Sequence, residues 1–338
     1  MRHYNIPVFV PHLGCPNDCS FCNQKRITGQ KENHSIEKVR EDIEKTLSTI
    51  SGECYVEIAF FGGSFTGIPE EEQIRLLKLA NDYVKKGKVN GIRLSTRPDY
   101  INCHILDYLK EYGVTAIELG VQSMVDEVLM ANDRGHLVND VENAVRLIKR
   151  YGCFQLGLQQ MTGLYKSDRE KDILSAEKIA SLHPKVVRIY PTIVLPSTKL
   201  EKLYAQGKYI PYTLEEAVEV CSKIYRIYEK NNIQVIRMGL QATEMICEKG
   251  ENIIGPYHSS FGELVLSRIL RDELEEKLKN CKEKAEIVAD KSIVSKIVGN
   301  KRCNIEYFKE KYGIELQLRT ENFPENTVEK YYINITKG

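Results

Sequence analysis

The chain has 338 residues, enough for one large domain or two, and its 42% hydrophobic and 28% charged residues are typical of a folded globular protein. Its net charge of +1 lacks the strongly basic character of many nucleic-acid-binding proteins, although that balance excludes no partner. No apolar run approaches the roughly 20 residues of a membrane helix, and residues 1–11 lack the apolar core and cleavage site of a secretory signal. We therefore predict a cytoplasmic protein that does not associate with membranes.

Short β-branched runs alternate with longer amphipathic stretches from the amino terminus to about residue 240. The predicted strands are residues 8–11, 56–61, 92–96, 116–121, 154–159, 186–190 and 233–237. Apolar residues at helical spacing predict helices between them, for example over residues 138–151. This α/β repetition predicts parallel strands with right-handed crossovers, in a partial (β/α)6-type barrel. Functional side chains of such barrels lie at the carboxyl ends of the strands.

The pattern changes after about residue 250. One long helix is predicted over residues 257–278, followed by strands at 285–289 and 314–318 that flank two short helices. We therefore predict a barrel core over residues 1–245. Residues 246–338 are expected to form a carboxy-terminal helix and a small α+β domain.

Three of the ten cysteines are crowded into one loop after the first predicted strand, at Cys15, Cys19 and Cys22. Thiolates are soft ligands that suit zinc or an iron–sulfur cluster. Three thiolates on a four-iron cluster leave one iron open to an amine and a carboxylate of a small molecule. The alternative is zinc, bound by the same cysteines with His12 or a distant ligand, although the spacing differs from paired Cys-x-x-Cys knuckles.

The sequence Cys15-Pro-Asn-Asp-Cys19-Ser-Phe-Cys22 resembles the signature of the radical S-adenosylmethionine (SAM) superfamily. The resemblance implies a radical-SAM barrel and a [4Fe–4S] cluster that is held by the three cysteines and binds SAM at its fourth iron. It implies that one electron from the reduced cluster cleaves SAM to a 5′-deoxyadenosyl radical, which abstracts a hydrogen atom from the substrate. It also implies that Phe21 lies beside the adenine of SAM.

Later motifs are similar to the radical domain of the Elongator catalytic subunit and, more distantly, to oxygen-independent coproporphyrinogen oxidase. They are Gly62-Gly-Ser-Phe65, Leu94-Ser-Thr-Arg-Pro-Asp-Tyr100, Glu118-Leu-Gly-Val-Gln-Ser123, Asn132-Asp-Arg-Gly-His136 and Arg188-Ile-Tyr-Pro-Thr192. The resemblance implies SAM contacts from Gly62, Gly63, Ser64, Ser95, Gln122, Arg134 and Gln159. Arg134 matches a residue that contacts the carboxylate. Ser95 stands where the family commonly has a ribose-contacting glutamate, and Gln159 where relatives have aspartate or histidine.

Residues 295–318 resemble the helix–turn–helix–strand pattern of a KH module, which clamps single-stranded nucleic acid with a Gly-x-x-Gly turn. Here Arg302 replaces the second glycine, although Lys301 and Arg302 are suited to phosphate contacts. The alternative is a small packing domain that closes the barrel. The Elongator subunit also carries a carboxy-terminal acetyltransferase domain, which we do not expect in this chain.

The leading prediction is a radical SAM enzyme that modifies an RNA base in tRNA. Its expected partners are tRNA and a reductant such as flavodoxin or ferredoxin. Two alternatives stay open: a radical SAM enzyme that acts on a small molecule, and a zinc-stabilised RNA-binding protein without catalysis.

Overall fold

The computed structural model describes residues 2–10, 19–22, 35–240, 253–279, 281, 284–324, 327 and 330–335. The predicted ligand Cys15 and the alternative ligand His12 lie outside these residues. The chain divides into two compact units. The first consists of Met1–Ala217 and Ile224–Ser259, and the second of Val218–Lys223 and Ser260–Gly338.

Seven parallel strands form the sheet of the first unit, in the order in which they occur in the chain. They are β1 (Arg2–Val10), β2 (Cys54–Gly62), β3 (Gly91–Thr96), β4 (Val114–Gln122), β5 (Gln155–Thr162), β6 (Val186–Pro191) and β7 (Gln234–Met238). β1 and β7 lie at opposite ends of the sheet order and are not paired with each other in the described part of the chain. The predicted partial barrel is thereby confirmed, with seven strands that overlap the seven predicted positions.

Helices follow the strands and cover one face of the sheet. They are α1 (Ile36–Thr49), α2 (Glu70–Lys85), α3 (Cys103–Glu111), α4 (Asp126–Ala131), α5 (Val138–Tyr151), α6 (Arg169–Ser181), α7 (Lys199–Ala205) and α8 (Leu214–Lys230). Five begin at a residue whose side-chain oxygen accepts a backbone N–H of the first turn: Ser35, Asn102, Asp168, Thr198 and Thr213. Such caps satisfy donors that the helix itself leaves unpaired.

Strand residues alternate between a helix-covered face and a polar face. Ile58, Ile92, Ile117 and Ile189 are fully buried, and burying an isoleucine side chain contributes about 1.5–3 kcal/mol. Each follows or precedes a charged residue of the same strand, which points to the opposite face because strand side chains alternate. The inside of the half-barrel is therefore lined with charged and polar groups.

The second unit contains α9 (Phe261–Leu278), β8 (Lys284–Ala289), α10 (Lys291–Val298), α11 (Cys303–Tyr312), β9 (Glu315–Thr320) and β10 (Tyr331–Ile335). Its sheet has the order β10-β8-β9, in which β8 is parallel to β9 and antiparallel to β10. Ile287, Ile297, Phe308 and Ile314 form its fully buried core. Within the described residues, no helix has the length and apolar character needed to cross a membrane.

Candidate active site

The carboxyl ends of β1 to β5 bring together most of the residues singled out in the sequence. Gly62 ends β2, Gln122 ends β4, and Ser95 and Gln159 lie near the ends of β3 and β5. Ser64 follows β2 and accepts a hydrogen bond at 3.0 Å from the backbone N–H of Arg97, which follows β3. Parallel strands place their carboxyl ends at one edge, where barrel enzymes hold their catalytic groups.

The described part of the cysteine loop is fixed by Ser20. This residue is fully buried, and its hydroxyl donates to Asn132 Oδ1 at 2.6 Å while its backbone N–H donates to the Asn132 carbonyl at 3.0 Å. The Ser20 carbonyl accepts from the N–H of Leu200 at 2.7 Å. Cys22 N–H donates to the Cys19 carbonyl at 3.0 Å, closing a turn between the two predicted ligands. The segment after α4 therefore sets the position of Cys19.

Arg134 links the cysteine loop to the end of β4. Its side chain is buried, with Nη1 3.4 Å from Cys19 Sγ and Nη2 donating to the Gly120 carbonyl at 2.7 Å. A Cβ at Gly120 would lie 2.7 Å from Arg134 Nη2 and 3.1 Å from Gln122 Nε2, so a side chain there would displace the ends of both side chains from these positions. Gln122 itself has φ +68, which is uncommon for a residue with a Cβ.

Unpartnered buried groups concentrate at this site. Among the described residues, seven buried side-chain nitrogen or oxygen atoms lack a hydrogen-bond partner, and four of these atoms belong to residues around Cys19. They are Arg97 Nη1, Gln122 Oε1, Arg134 Nε and His136 Nδ1. Buried polar atoms are normally paired, because leaving one unpaired is costly. Two guanidinium donors and an amide acceptor beside the Cys19 sulfur fit a ligand that has a carboxylate and an amine, as SAM has.

His136 is held neutral behind Arg134. Burial, followed by the charges of Arg134 and Arg97, lowers the pKa of His136 to about 3. Its Nε2 lies 3.3 Å from the Val121 carbonyl and must carry the proton, which leaves Nδ1 as an acceptor. Arg97 is in turn oriented by Asp99, whose carboxylate accepts from Nε at 3.0 Å and from Nη2 at 2.9 Å.

The polar face of the sheet carries an ion-pair network centred on Glu118. Its carboxylate accepts from Arg188 Nε at 2.6 Å and from Arg93 Nη1 at 3.2 Å. Gln159 Nε2 donates to Glu118 Oε2 at 3.1 Å and to Ser95 Oγ at 3.2 Å. Burial alone would raise the pKa of Glu118, but Arg188 and Arg93 hold that pKa below its usual value. The predicted SAM contacts Ser95 and Gln159 are therefore hydrogen-bonded to each other, and Gln159 also joins them to the Glu118 network.

Phe21, the predicted adenine contact, packs into a hydrophobic cluster and not among the polar groups around Cys19. It packs against the buried side chains of Val194, Leu200 and Tyr209, together with the partly buried Tyr165. Sequence patterns assign no individual role to four further residues of this site: Ser20, Arg97, Asn132 and His136. Arg97 directly follows the strand predicted over residues 92–96. Because functional residues of barrel enzymes lie at the carboxyl ends of strands, this position is the one sequence signal for Arg97.

Two family models match the chain: the Radical SAM superfamily over residues 9–176 and the Radical_SAM C-terminal domain over residues 184–271. The chain is 29% identical over 273 residues to a tRNA uridine(34) acetyltransferase of Methanocaldococcus jannaschii, covering 75% of this chain and 49% of that relative. An uncharacterised protein of the same organism is 32% identical over 225 residues, covering 63% of this chain and 67% of the relative.

Among solved structures, the archaeal Methanocaldococcus infernus Elp3 with an amino-terminal deletion has the same fold. It superposes with a TM-score of 0.64 at 24% identity, covering 83% of this chain and 66% of that one. The chain spans about half the length of the tRNA uridine(34) acetyltransferases it matches. Two matched family models and a polar site that fits SAM beside Cys19 lead to one conclusion. The chain belongs to the radical SAM superfamily and is a radical SAM enzyme, whose cofactors are a [4Fe–4S] cluster and S-adenosylmethionine.

Proposed function

We propose that this radical SAM enzyme modifies a base of tRNA. The observation that carries the proposal is the alignment of 75% of the chain with a tRNA uridine(34) acetyltransferase. The aligned relative extends well beyond this chain, so the proposal concerns the radical step and leaves out acetyl transfer. We further propose that the enzyme works in the cytoplasm and that flavodoxin or ferredoxin reduces its cluster.

In this proposal, Cys15, Cys19 and Cys22 hold the cluster. When bound, the cluster would supply the electron that cleaves SAM to methionine and a 5′-deoxyadenosyl radical able to abstract a hydrogen atom from the base. Arg134 binds the carboxylate of SAM, because its Nε is an unused buried donor and Gly120 fixes the guanidinium.

The other predicted SAM contacts come from different strand ends, and each group of residues meets a different part of the cofactor. Gly62, Gly63 and Ser64 at the end of β2 bind the methionine amine, and Gln122 contacts the cofactor from β4. Phe21 lies against the adenine, and Ser95 and Gln159 face the ribose.

The second unit supports an RNA substrate through its basic turn. Lys301 and Arg302 are exposed and have φ values of +51 and +65. Asn304 is buried and holds the turn by donating to the Ser267, Lys296 and Ile297 carbonyls at 3.1–3.2 Å. A rigid turn that presents two cations is suited to phosphate contacts, which position an RNA without reading its sequence.

The proposal is tested with tRNA from a strain that lacks the gene. We expect a modified nucleoside to disappear from the mass-spectrometric profile of that tRNA. The same tRNA should stimulate 5′-deoxyadenosine formation by the anaerobically reconstituted, reduced enzyme, and the Cys19→Ala variant should form none. An unchanged nucleoside profile, with 5′-deoxyadenosine stimulated only by a small-molecule extract, would reject tRNA in favour of a small-molecule substrate.

A further inference from the structure

We propose that a cavity beside the cysteine loop binds one nucleotide of single-stranded RNA, an inference that rests on the proposed tRNA function. The cavity of about 240 Å³ lies between the loop after β5, residues 163–167, and the segment that joins α7 to α8, residues 208–212. It is lined chiefly by Tyr165, Lys166, Lys208, Tyr209, Ile210 and Tyr212. Nothing in the radical chemistry described above uses it.

Two of the three tyrosines of this nucleotide cavity, Tyr209 and Tyr212, are held by their hydroxyl groups. Tyr209 OH donates to the Gly163 carbonyl at 2.7 Å, and Tyr212 OH donates to the buried carboxylate of Asp172 at 3.0 Å. Tyr165 packs edge-on against Tyr209, with ring centroids 6.3 Å apart. Tyr209 is buried and forms the base of the cavity, whereas Tyr165 and Tyr212 are half-buried and leave part of their rings exposed to a ligand. Aromatic surfaces of this kind stack nucleobases of any identity.

Two lysines lie at the rim of the nucleotide cavity. Lys166 and Lys208 are exposed, and neither ammonium group has a carboxylate partner within the described residues. Lys166 Nζ lies 5.6 Å from the centre of the Tyr165 ring. The Lys166 backbone has φ +65, and its carbonyl accepts from Lys171 Nζ at 2.9 Å. Aromatic surfaces between two cations match a base that carries phosphates on both sides.

The nucleotide cavity shares a wall with the cysteine loop. Phe21 packs in the same cluster as Tyr165 and Tyr209. Asn132 donates to the Tyr165 carbonyl at 2.8 Å and accepts from the Ser20 hydroxyl at 2.6 Å. A nucleotide held here would therefore keep the adjoining part of the RNA close to the carboxyl edge of the sheet.

The chain contains no tryptophan, so a single substitution creates a site-specific probe. In the Tyr165→Trp enzyme, titration with a ten-nucleotide oligouridylate should quench tryptophan fluorescence to a saturable limit. Tyr55→Trp is the matched control, because Tyr55 is 37% exposed but lies at the amino end of β2, away from this edge. Equal quenching of both probes, or no quenching of the first, would overturn the proposal.

The lysines are tested with the double variant Lys166→Glu, Lys208→Glu. We expect at least tenfold weaker oligouridylate binding than wild type. The plot of the logarithm of the RNA association constant against the logarithm of the salt concentration has a negative slope. That slope should become shallower by about 1.4, since each lost phosphate contact on a single strand removes about 0.7. The control pair Lys110→Glu, Lys149→Glu makes the same charge change at exposed sites on α3 and α5. An equal loss in the control pair would mean non-specific attraction and reject the cavity.

The two proposals fail in different ways. If the oligouridylate binds as expected while tRNA nucleosides are unchanged in the deletion strain, the cavity stands and the tRNA substrate falls. If tRNA is modified and the lysine double variant binds RNA like wild type, the cavity falls and the tRNA substrate stands. A Tyr165→Trp signal that responds to reduced flavodoxin and not to RNA would identify a protein-docking site and reject the nucleotide.

Discussion

The guanidinium of Arg134 has two nitrogens that contact the protein and one buried nitrogen without a hydrogen-bond partner. Its Nη2 is used by the Gly120 carbonyl at 2.7 Å, and its Nη1 lies 3.4 Å from Cys19 Sγ. Nε, by contrast, is buried without a partner. A guanidinium held in this way costs little further ordering when it binds a carboxylate, and its planar fork has no counterpart in lysine.

The substitution Arg134→Lys should separate charge from geometry. A lysine keeps the positive charge but cannot donate to Gly120 and to a carboxylate in the same plane. We expect at least tenfold weaker SAM binding, measured by equilibrium dialysis on the cluster-loaded enzyme, with the iron content unchanged. Arg150→Lys, an exposed change on α5, is the control. Unaltered SAM affinity in Arg134→Lys would remove Arg134 from the carboxylate site.

Resemblance to known motifs gave Arg134 and Gln122, but it could not give their contacts. Cys19 and Arg134 are separated by 115 residues, and only the packing of β1 beside β2, β3 and β4 brings them together. The sequence assigns no individual role to His136. Its neutral state depends on burial and on two arginines from different segments, which no local pattern contains.

The loop after β5 is organised around one buried carboxylate, Asp172. It accepts from Gly163 N–H at 2.8 Å, from Ser167 Oγ at 2.6 Å and from Tyr212 OH at 3.0 Å. Burial raises the pKa of Asp172 to about 6 despite these hydrogen bonds. The folded state therefore holds this proton at pH values where the unfolded chain has lost it.

Asp172→Asn should abolish the resulting pH dependence. The folded pKa lies above the unfolded value of 3.8, so the contribution of this proton is complete below pH 3.8 and is lost as the pH rises to about 6. Relative to Asp172→Asn, we expect wild type to lose about 2 kcal/mol of unfolding free energy between pH 4.5 and pH 6.5. Urea unfolding at pH 4.5 and pH 6.5 measures it, and a constant difference between the two proteins would contradict the assignment.

The turn between α10 and α11 depends on Gly299. This residue has φ +78, and a Cβ there would lie 2.6 Å from Cys303 Sγ and 3.1 Å from the backbone nitrogen of Asn304. Gly313, which follows α11, has φ +67 but no atom within 4 Å of the same position. Gly313 therefore shows the cost of a left-handed backbone alone, whereas Gly299, with ψ 163, combines a backbone region open essentially only to glycine with a clash.

Gly313→Ala should cost about 1–2 kcal/mol, the usual cost of a left-handed residue with a Cβ. Gly299→Ala should cost at least about 1 kcal/mol more, because Asn304 must move as well. Hydrogen–deuterium exchange over residues 291–312 of the full chain reports the local opening. Equal loss of protection in both variants would mean that the turn has room for a side chain at 299.

Elements with strong local patterns were predictable, and those that depend on distant partners were not. The seven strands of the first sheet follow β-branched runs, and their predicted and observed positions overlap. β10 was missed because its pairing with β8 joins residues that are more than 40 positions apart, such as Tyr331 and Ala289. α9 begins at Phe261 and not at residue 257, because the backbone is still non-helical at Ser260, with φ −106 and ψ 36.

The stability of the first unit depends on charges inside its half-barrel. Glu118 is the carboxylate partner of Arg188 and also pairs with Arg93, whose second partner is Glu57 at 2.8 Å. Removing one member of a buried ion pair leaves its partner without compensation, which typically costs about 3–5 kcal/mol. The cost falls on the whole sheet, because these side chains come from β2, β3, β4 and β6.

Glu118→Gln should therefore lower the unfolding free energy by about 3–5 kcal/mol at neutral pH. The lowered pKa of Glu118 means that its contribution exists above the unfolded value near 4.5 and disappears as the pH falls through the folded value. The penalty of Glu118→Gln should shrink accordingly in acid, as urea titrations would measure. Glu142→Gln, an exposed change on α5, should alter stability by less than about 0.5 kcal/mol. A similar small change in Glu118→Gln would exclude the network as a source of stability.

The separation of β1 from β7 determines what kind of molecule this sheet can accommodate. A closed eight-stranded barrel admits a ligand only through its end, so the ring of strands limits the width of whatever enters. Within the described residues, this sheet stops after seven strands, so its own backbone forms no closed ring that would set such a limit. A nucleotide within a polymer can approach such a sheet sideways, with the chain continuing past on both sides and no free end to thread.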